Sequence, residues 1–219
     1  MLHVRAALPA RVIPRAEIKV KCVCEPCNRG WMHDLENLNI PIIGCLMEDK
    51  AMGLTIDAQR TIVRWAITKA MVQDAMDTRN RSLFYTEPER AALRSNTRLP
   101  VYTNVWLGRS SLKTLACDGF DLGVDIDDGT AVPEMADGCV TTIVVGHLAI
   151  QIATFHVPDK YTGRPFGIRH AIQAPWEHIL VPLLASEGSV NWPPRFSLIG
   201  DEGIKGLNAR FRGGIDRTA

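Results

Sequence analysis

The 219-residue chain has no apolar run of the roughly 18 residues that a membrane-spanning helix needs, so no such helix is predicted. Pro9 and Arg11 interrupt the start of the chain, and no apolar signal-peptide core is expected there. Neither sign of charge is in excess: the net charge is +1, whereas a dedicated nucleic-acid binder normally carries a clear basic surplus. There is no Gly-rich phosphate loop and no G-x-S-x-G elbow, which removes the common signatures of nucleotide hydrolysis and serine hydrolysis. Internal repeats and low-complexity segments are absent as well. At 46% hydrophobic and 22% charged residues, the chain can still bury a sizeable core.

What is present is concentrated near the start. Lys21-Cys22-Val23-Cys24-Glu25-Pro26-Cys27-Asn28-Arg29-Gly30-Trp31 holds three of the six cysteines. Cys24 and Cys27 form a C-x-x-C pair, a spacing that lets one tight turn aim two thiolates at one metal ion. A structural zinc takes four ligands, usually as two such pairs, and the sequence has no second C-x-x-C or C-x-x-H. Cys22, His33, Cys45 and His3 are the available additions, and reduced, non-ligating cysteines are the alternative. Clustered cysteines in a chain of this size suit metal binding or free thiols in a reducing cytoplasm. Residues 1–31 carry six basic against two acidic side chains, so the local charge around the cluster is positive.

Residues 18–23 alternate as a short strand does, and Cys24 to Gly30 reads as the turn after it. From Trp31, Leu35, Leu38, Ile42, Ile43, Leu46 and Met47 recur at helical spacing, with Pro41 expected to kink or restart the helix. Thr55 is a good N-cap for a helix over 56–76, whose apolar face includes Ile62, Val63, Ala66, Ala70 and Met71 and whose polar side includes Gln59 and Gln73. Thr86 and Glu89 form a capping box for a helix over 87–95. A strand follows over 101–107, and another is possible over 112–116. Residues 118–138 are rich in Asp and Gly and read as a surface loop whose acidic run is solvated, since it lacks the spacing of an EF-hand. Residues 140–145 and 148–155 are strongly apolar, and Gly146-His147 between them fits a two-residue hairpin turn. Asp201 is a candidate cap for a last helix that puts Ile204, Leu207 and Phe211 on one face. His147 reads as a turn residue, and His156, His170 and His178 read as structural histidines. Trp65, Trp106, Trp176 and Trp192 suit core and interfaces rather than base stacking, because no basic residues interleave with them.

The run Cys24-x-x-Cys27-Asn28-x-Gly30-Trp31-Met32-x-x-Leu35-Glu36 resembles the second zinc knuckle of HNH endonuclease-like proteins of bacteria and prophages. Softer similarity to one branch of that family runs through Gln59-Arg60-Thr61, 65–72, Phe84-Tyr85-Thr86, 105–108 and 142–148. The resemblance implies a partial ββα-metal module at 1–53, followed by a helical linker and an α+β domain with an antiparallel sheet at 54–219. It implies Cys24 and Cys27 as structural Zn2+ ligands, Asn28 as the residue that orients a catalytic base, and a divalent catalytic ion such as Mg2+. Lys19, Lys21 and Arg29 flank the turn and are candidate phosphate contacts to DNA. The chain departs from the family pattern in two ways. The first cysteine pair with its Glu-His is missing, and Glu36 or Asn37 stands where the later motif His is expected. The expected function is therefore a metal-dependent DNA endonuclease-like protein without its general base. The alternative is a non-catalytic zinc knuckle that docks DNA or protein for a phage or mobile element.

Overall fold

The computed structural model describes residues 2–7, 22–76, 83–126, 134–162, 176, 178–184 and 188–212. In chain order its elements are β1 (Leu2–Ala7), α1 (Glu25–Cys27), a π turn (Asn28–Met32), α2 (His33–Met47), β2 (Met52–Leu54), α3 (Ile56–Met76) and α4 (Glu87–Arg94). There follow β3 (Thr103–Ile126), β4 (Glu134–His156), a 3-10 turn (Asp159–Tyr161), β5 (Leu180–Pro182), β6 (Val190–Trp192), β7 (Ser197–Leu198) and α5 (Gly200–Arg212). The fold is α+β with a mainly antiparallel sheet. No helix among the described residues is long and apolar enough to cross a membrane.

The sheet is built on β3. Along one side β4 pairs with it antiparallel, from Thr103↔Thr154 to Ile126↔Glu134. On its other side lie β1 near the far end (Leu2↔Ile126), β5 (Trp106↔Pro182) and the parallel β7 (Arg109↔Ser197). A second, two-stranded sheet pairs β2 with β6. The long ribbon is interrupted once, where residues 110–113 bulge out between the Arg109↔Leu148 and Thr114↔Gly146 pairs. Such an insertion bends a ribbon and sharpens its twist. His147 lies at this bend and donates from Nδ1 to the Ser110 carbonyl at 2.8 Å.

Two sequence expectations are corrected here. Residues 140–145 and 148–155 are not the arms of a hairpin; they are one strand, because both halves pair with β3. Gly146 is the bend in that strand, with φ +61°. Residues 118–126 and 134–138 are strand rather than loop. Phe120, Leu122, Val124 and Ile126 alternate inward beneath α5, which outweighs the turn preference of the intervening Asp and Gly residues. Asp118, expected in a solvated loop, is only 7% exposed. It sits opposite Thr142, whose hydroxyl accepts from Gln151 Nε2 at 2.9 Å. Arg210 of α5 donates to Gln151 Oε1 at 2.6 Å and lies 4.3 Å over the Trp106 ring; burial pushes its guanidinium down to about 9. Asp127 and Asp128 lie outside the described residues.

Both faces of the ribbon are covered, which explains the apolar runs Ile143–Val145 and Leu148–Ile150 of β4. Val105, Leu107, Leu148, Ile150 and Ile152 face α2, α3 and α4. Trp106, Phe120, Val140, Val144 and Ala153 face α5 through Leu207 and Phe211. Each fully buried Leu or Ile here contributes about 1.5–3 kcal/mol of transfer free energy.

The helices follow their local signals with a few departures. Thr55 caps α3 through its hydroxyl, which accepts from Ala58 N–H at 3.3 Å. Gln59, expected on the polar side of α3, is 0% exposed. Its amide donates to the Leu54 and Gly188 carbonyls at 3.0 and 2.9 Å and accepts from Leu184 N–H at 3.0 Å. This satisfied amide ties Leu184 and Gly188 to the start of α3. The Thr86–Glu89 capping box forms as expected. On α2, Leu38 is 62% exposed because the buried stripe is Leu35, Asn39, Ile43 and Leu46. Pro41 neither ends nor restarts α2; it lies exposed, so the carbonyl deprived of its partner is on the solvent side. Asp201 falls in the first turn of α5, which starts at Gly200.

Candidate functional site

The tight turn read from sequence is formed as a short helical turn. Cys24 is the extended N-cap of α1 (φ −68°, ψ 149°), and its sulfur accepts from the Cys27 N–H at 3.4 Å. Pro26 suits the first helical turn, where no N–H is needed. Asn28 N–H closes the turn on the Cys24 carbonyl at 3.0 Å. The expected strand before it is not formed at Cys22 and Val23, and residues 18–21 lie outside the described ones. Gly30 (φ −99°, ψ −117°) breaks the helical path before α2 begins. The break separates the cysteine turn from the long helix and turns Trp31 toward α3.

Cys24 is exposed and Cys27 half-buried. The Cys27 thiol and N–H both hydrogen-bond the Cys24 sulfur and hold it below the ordinary thiol range; the Arg94 charge acts in the same direction. The turn forms one wall of a pocket of ≈ 280 Å³, together with Cys22 and Trp31. Its floor includes Met71, Val72 and Ala75 of α3, and its far wall is Glu87, Arg90, Ala91 and Arg94 of α4, of mixed charge.

The far wall is rigidly anchored. The Asp74 carboxylate, 0% exposed, accepts from Arg90 Nη2 at 2.9 Å and from the Phe84 and Tyr85 N–H groups at 3.1 Å. Arg90 also donates to the Tyr85 and Met71 carbonyls. Arg64 caps the other end of α4 by donating to the Leu93 and Arg94 carbonyls, and its guanidinium lies 5.6 Å from the Trp31 ring centroid. A cation is favourable at a helix C-terminus. Arg94 is exposed and has no side-chain partner among the described residues. The Trp31 indole N–H is buried and meets no acceptor among the described residues.

The sequence candidates fall unevenly around this pocket. Cys24, Cys27 and Cys22 meet at one wall. Asn28 is exposed beside them, and Arg29 is exposed and paired with Glu25 at 3.0 Å. Lys19 and Lys21 lie outside the described residues. Cys45 is elsewhere, on α2, and Cys139 is buried in the helix-facing core. Cys117 donates to Gln73 Oε1, and burial pushes its thiol up to about 11. His33 hydrogen-bonds Asn37 at 3.0 Å, and Glu36 is ion-paired with Lys69. His156 is a structural residue: it stacks on Phe84 at 4.2 Å and bonds Glu89 at 2.9 Å. His170 lies outside the described residues.

Two thiols at one turn fit half of a tetrahedral zinc set. Among the described residues, no group of three or more His, Cys, Asp or Glu side chains is placed to hold a metal ion. Sequence reasoning missed the α4 wall, because Arg90 and Arg94 carry only the pattern of an ordinary polar helix face. No protein-family model, no curated protein and no solved structure matches the chain.

Proposed function

We propose that the chain is an HNH-related, DNA-handling protein that lacks its own general base, and that Cys24 and Cys27 are one half of a structural zinc knuckle. The observation that carries this is the turn itself: two thiols one helical turn apart, with the exposed sulfur accepting the Cys27 N–H at 3.4 Å. Amide donors of that kind stabilise a metal-bound thiolate and orient it. Zinc there would pin the turn and fix Asn28 beside it. Arg29, with Lys19 and Lys21, would contact phosphates. In HNH chemistry a His activates water and a divalent ion such as Mg2+ steadies the leaving oxygen. In this chain Asn37 is an amide, which is no base, and Glu36 is ion-paired with Lys69. That engagement favours the second reading over cleavage by this chain alone: a non-catalytic zinc knuckle that docks DNA or protein.

Metal analysis of the purified protein tests the proposal. Zinc is expected with the native protein and is lost on Cys24→Ser or Cys27→Ser. Duplex DNA binding should weaken on Arg29→Glu, with the salt slope falling by about one for each phosphate contact removed. Less than about half a zinc per chain, unchanged by either cysteine substitution, would overturn it. Nicking of supercoiled plasmid by this chain with Mg2+ would replace the non-catalytic reading with an active one.

A further inference from the structure

The pocket beside the cysteine turn combines features that a zinc half-site does not require. The Cys27 N–H reaches the Cys24 sulfur at 3.4 Å, which sets the two cysteines side by side. A disulfide needs Cβ atoms about 3.5–4.5 Å apart, and the capping contact already folds Cys24 back onto the turn that carries Cys27. Gly30 leaves the helical path just beyond that turn, and a Cβ there would meet nothing within 4 Å. The two sulfurs also differ in access: Cys24 is exposed and Cys27 half-buried, an attacking and a resolving position. The space in front of them has an apolar floor of Met71, Val72 and Ala75. At its edge stands Arg94, exposed and without an ion-pair partner among the described residues. An apolar slot with a spare cation at its mouth suits a small ligand that carries carboxylates.

We propose that Cys24 and Cys27 form a redox-active dithiol that reduces a small, carboxylate-bearing disulfide drawn to the pocket by Arg94. The Cys24 sulfur attacks one sulfur of that disulfide, the S–S bond breaks, and the first product leaves as a thiol carrying the Cys24 proton. The Cys27 sulfur then attacks Cys24 in the mixed disulfide, and the second product leaves as a thiol carrying the Cys27 proton. The protein dithiol loses two electrons and becomes the Cys24–Cys27 disulfide; the small disulfide gains them and becomes two thiols. The metal-free turn performs this, so it goes beyond the zinc reading and does not depend on it. Cys139 is buried and burial pushes the Cys117 thiol up to about 11, which leaves Cys22, in the same pocket wall, and Cys45, half-buried on α2, as the competing thiols to control for.

The test uses the full chain, with zinc measured before and after chelation and the fold checked by circular dichroism. Oxidised glutathione, which is anionic, is compared with cystamine, which is cationic, and adducts are mapped by peptide mass spectrometry. Oxidised glutathione should give the Cys24–Cys27 disulfide. Cys27→Ser should trap glutathione on Cys24, and Cys24→Ser should slow adduct formation at Cys27 by about tenfold or more. Glutathione disulfide should outpace cystamine, and Arg94→Glu should reverse that order. Attack that begins at Cys22, or a Cys24→Ser chain that reacts as fast as the native one, overturns the dithiol. Equal rates with the two disulfides overturn the role of Arg94. A chain that binds zinc yet forms no disulfide after chelation refutes this proposal alone; one that forms the disulfide without ever binding zinc refutes the zinc reading alone.

Discussion

Replacing Asp74 with Ala should be among the most damaging single changes in this protein. Asp74 lies on α3 and is fully buried, yet it accepts from three donors: the Arg90 guanidinium at 2.9 Å and the Phe84 and Tyr85 N–H groups at 3.1 Å. Removing the carboxylate leaves two backbone donors without that acceptor, at about 1–3 kcal/mol for each one that water does not reach. It also strips the counter-ion from Arg90, whose side chain is 23% exposed. Breaking a buried pair from one side costs about 3–5 kcal/mol. These losses overlap, because Arg90 keeps its bonds to the Tyr85 and Met71 carbonyls and water can enter beside it. A total of about 3–5 kcal/mol follows, or a fall in Tm of about 6–20 °C for a chain of this size. Asp74→Asn should cost less, since its one carbonyl oxygen can still accept. Urea unfolding of both variants, with hydrogen exchange at the Phe84 and Tyr85 amides, is the assay. Stability within about 1 kcal/mol of the native protein for Asp74→Ala would mean that this carboxylate does not hold α4 to α3.

Gly146→Ala should destabilise by more than the about 1–2 kcal/mol of the left-handed conformation alone, since its Cβ would fall 2.6 Å from the Met47 carbonyl oxygen; an unchanged urea midpoint would contradict this. Burial alone would raise the Glu89 carboxyl, but hydrogen bonds from His156 and from the Thr86 N–H and hydroxyl bring it below the usual range. Its stabilisation is thus complete above the unfolded value near 4.3 and is lost as pH falls through the lower folded value. Unfolding midpoints from pH 3 to 7 should show that acid limb flattened in Glu89→Gln, and superimposable profiles would count against it. With a thiol reagent at pH 8, Cys24 should label first and Cys117, held at about 11 by burial, should label only on unfolding. Early label on Cys117 in the mass spectrum would refute that ordering.

The helices were legible from sequence because their signals are local. Thr55, the Thr86–Glu89 box and the spacing of Ile62, Val63, Ala66 and Ala70 act within a turn or two of where they stand. The ribbon was not, because its glycines and aspartates carry turn preference locally while their reasons lie far away in the chain. A Cβ on Gly123 would fall 2.5 Å from Met135 Cε, and one on Gly138 would fall 3.1 Å from Leu122 Cγ. These glycines make room for large side chains on the facing strand, a demand that appears only when β3 and β4 are paired. Asp118 misleads in the same way: alone it reads as solvated, and its burial opposite Thr142 is visible only once β3 and β4 are paired.

At the site, spacing identified the two sulfurs but not what they face. Cys24 and Cys27 are visible in four consecutive residues, whereas Arg90 and Arg94 stand more than sixty positions later on a helix with an ordinary polar face. The two walls meet because α3 lies between them, its Met71, Val72 and Ala75 forming the floor and its Asp74 clamping α4 through Arg90. The motif therefore supplies reactive atoms and the tertiary fold supplies selectivity. A C-x-x-C turn on a bare surface would bind a thiophilic metal or exchange with any disulfide. Under the dithiol proposal, the exposed Arg94 on the anchored α4 wall is what would let the same turn distinguish partners by charge. That distinction depends on Asp74, which touches neither sulfur and belongs to no motif.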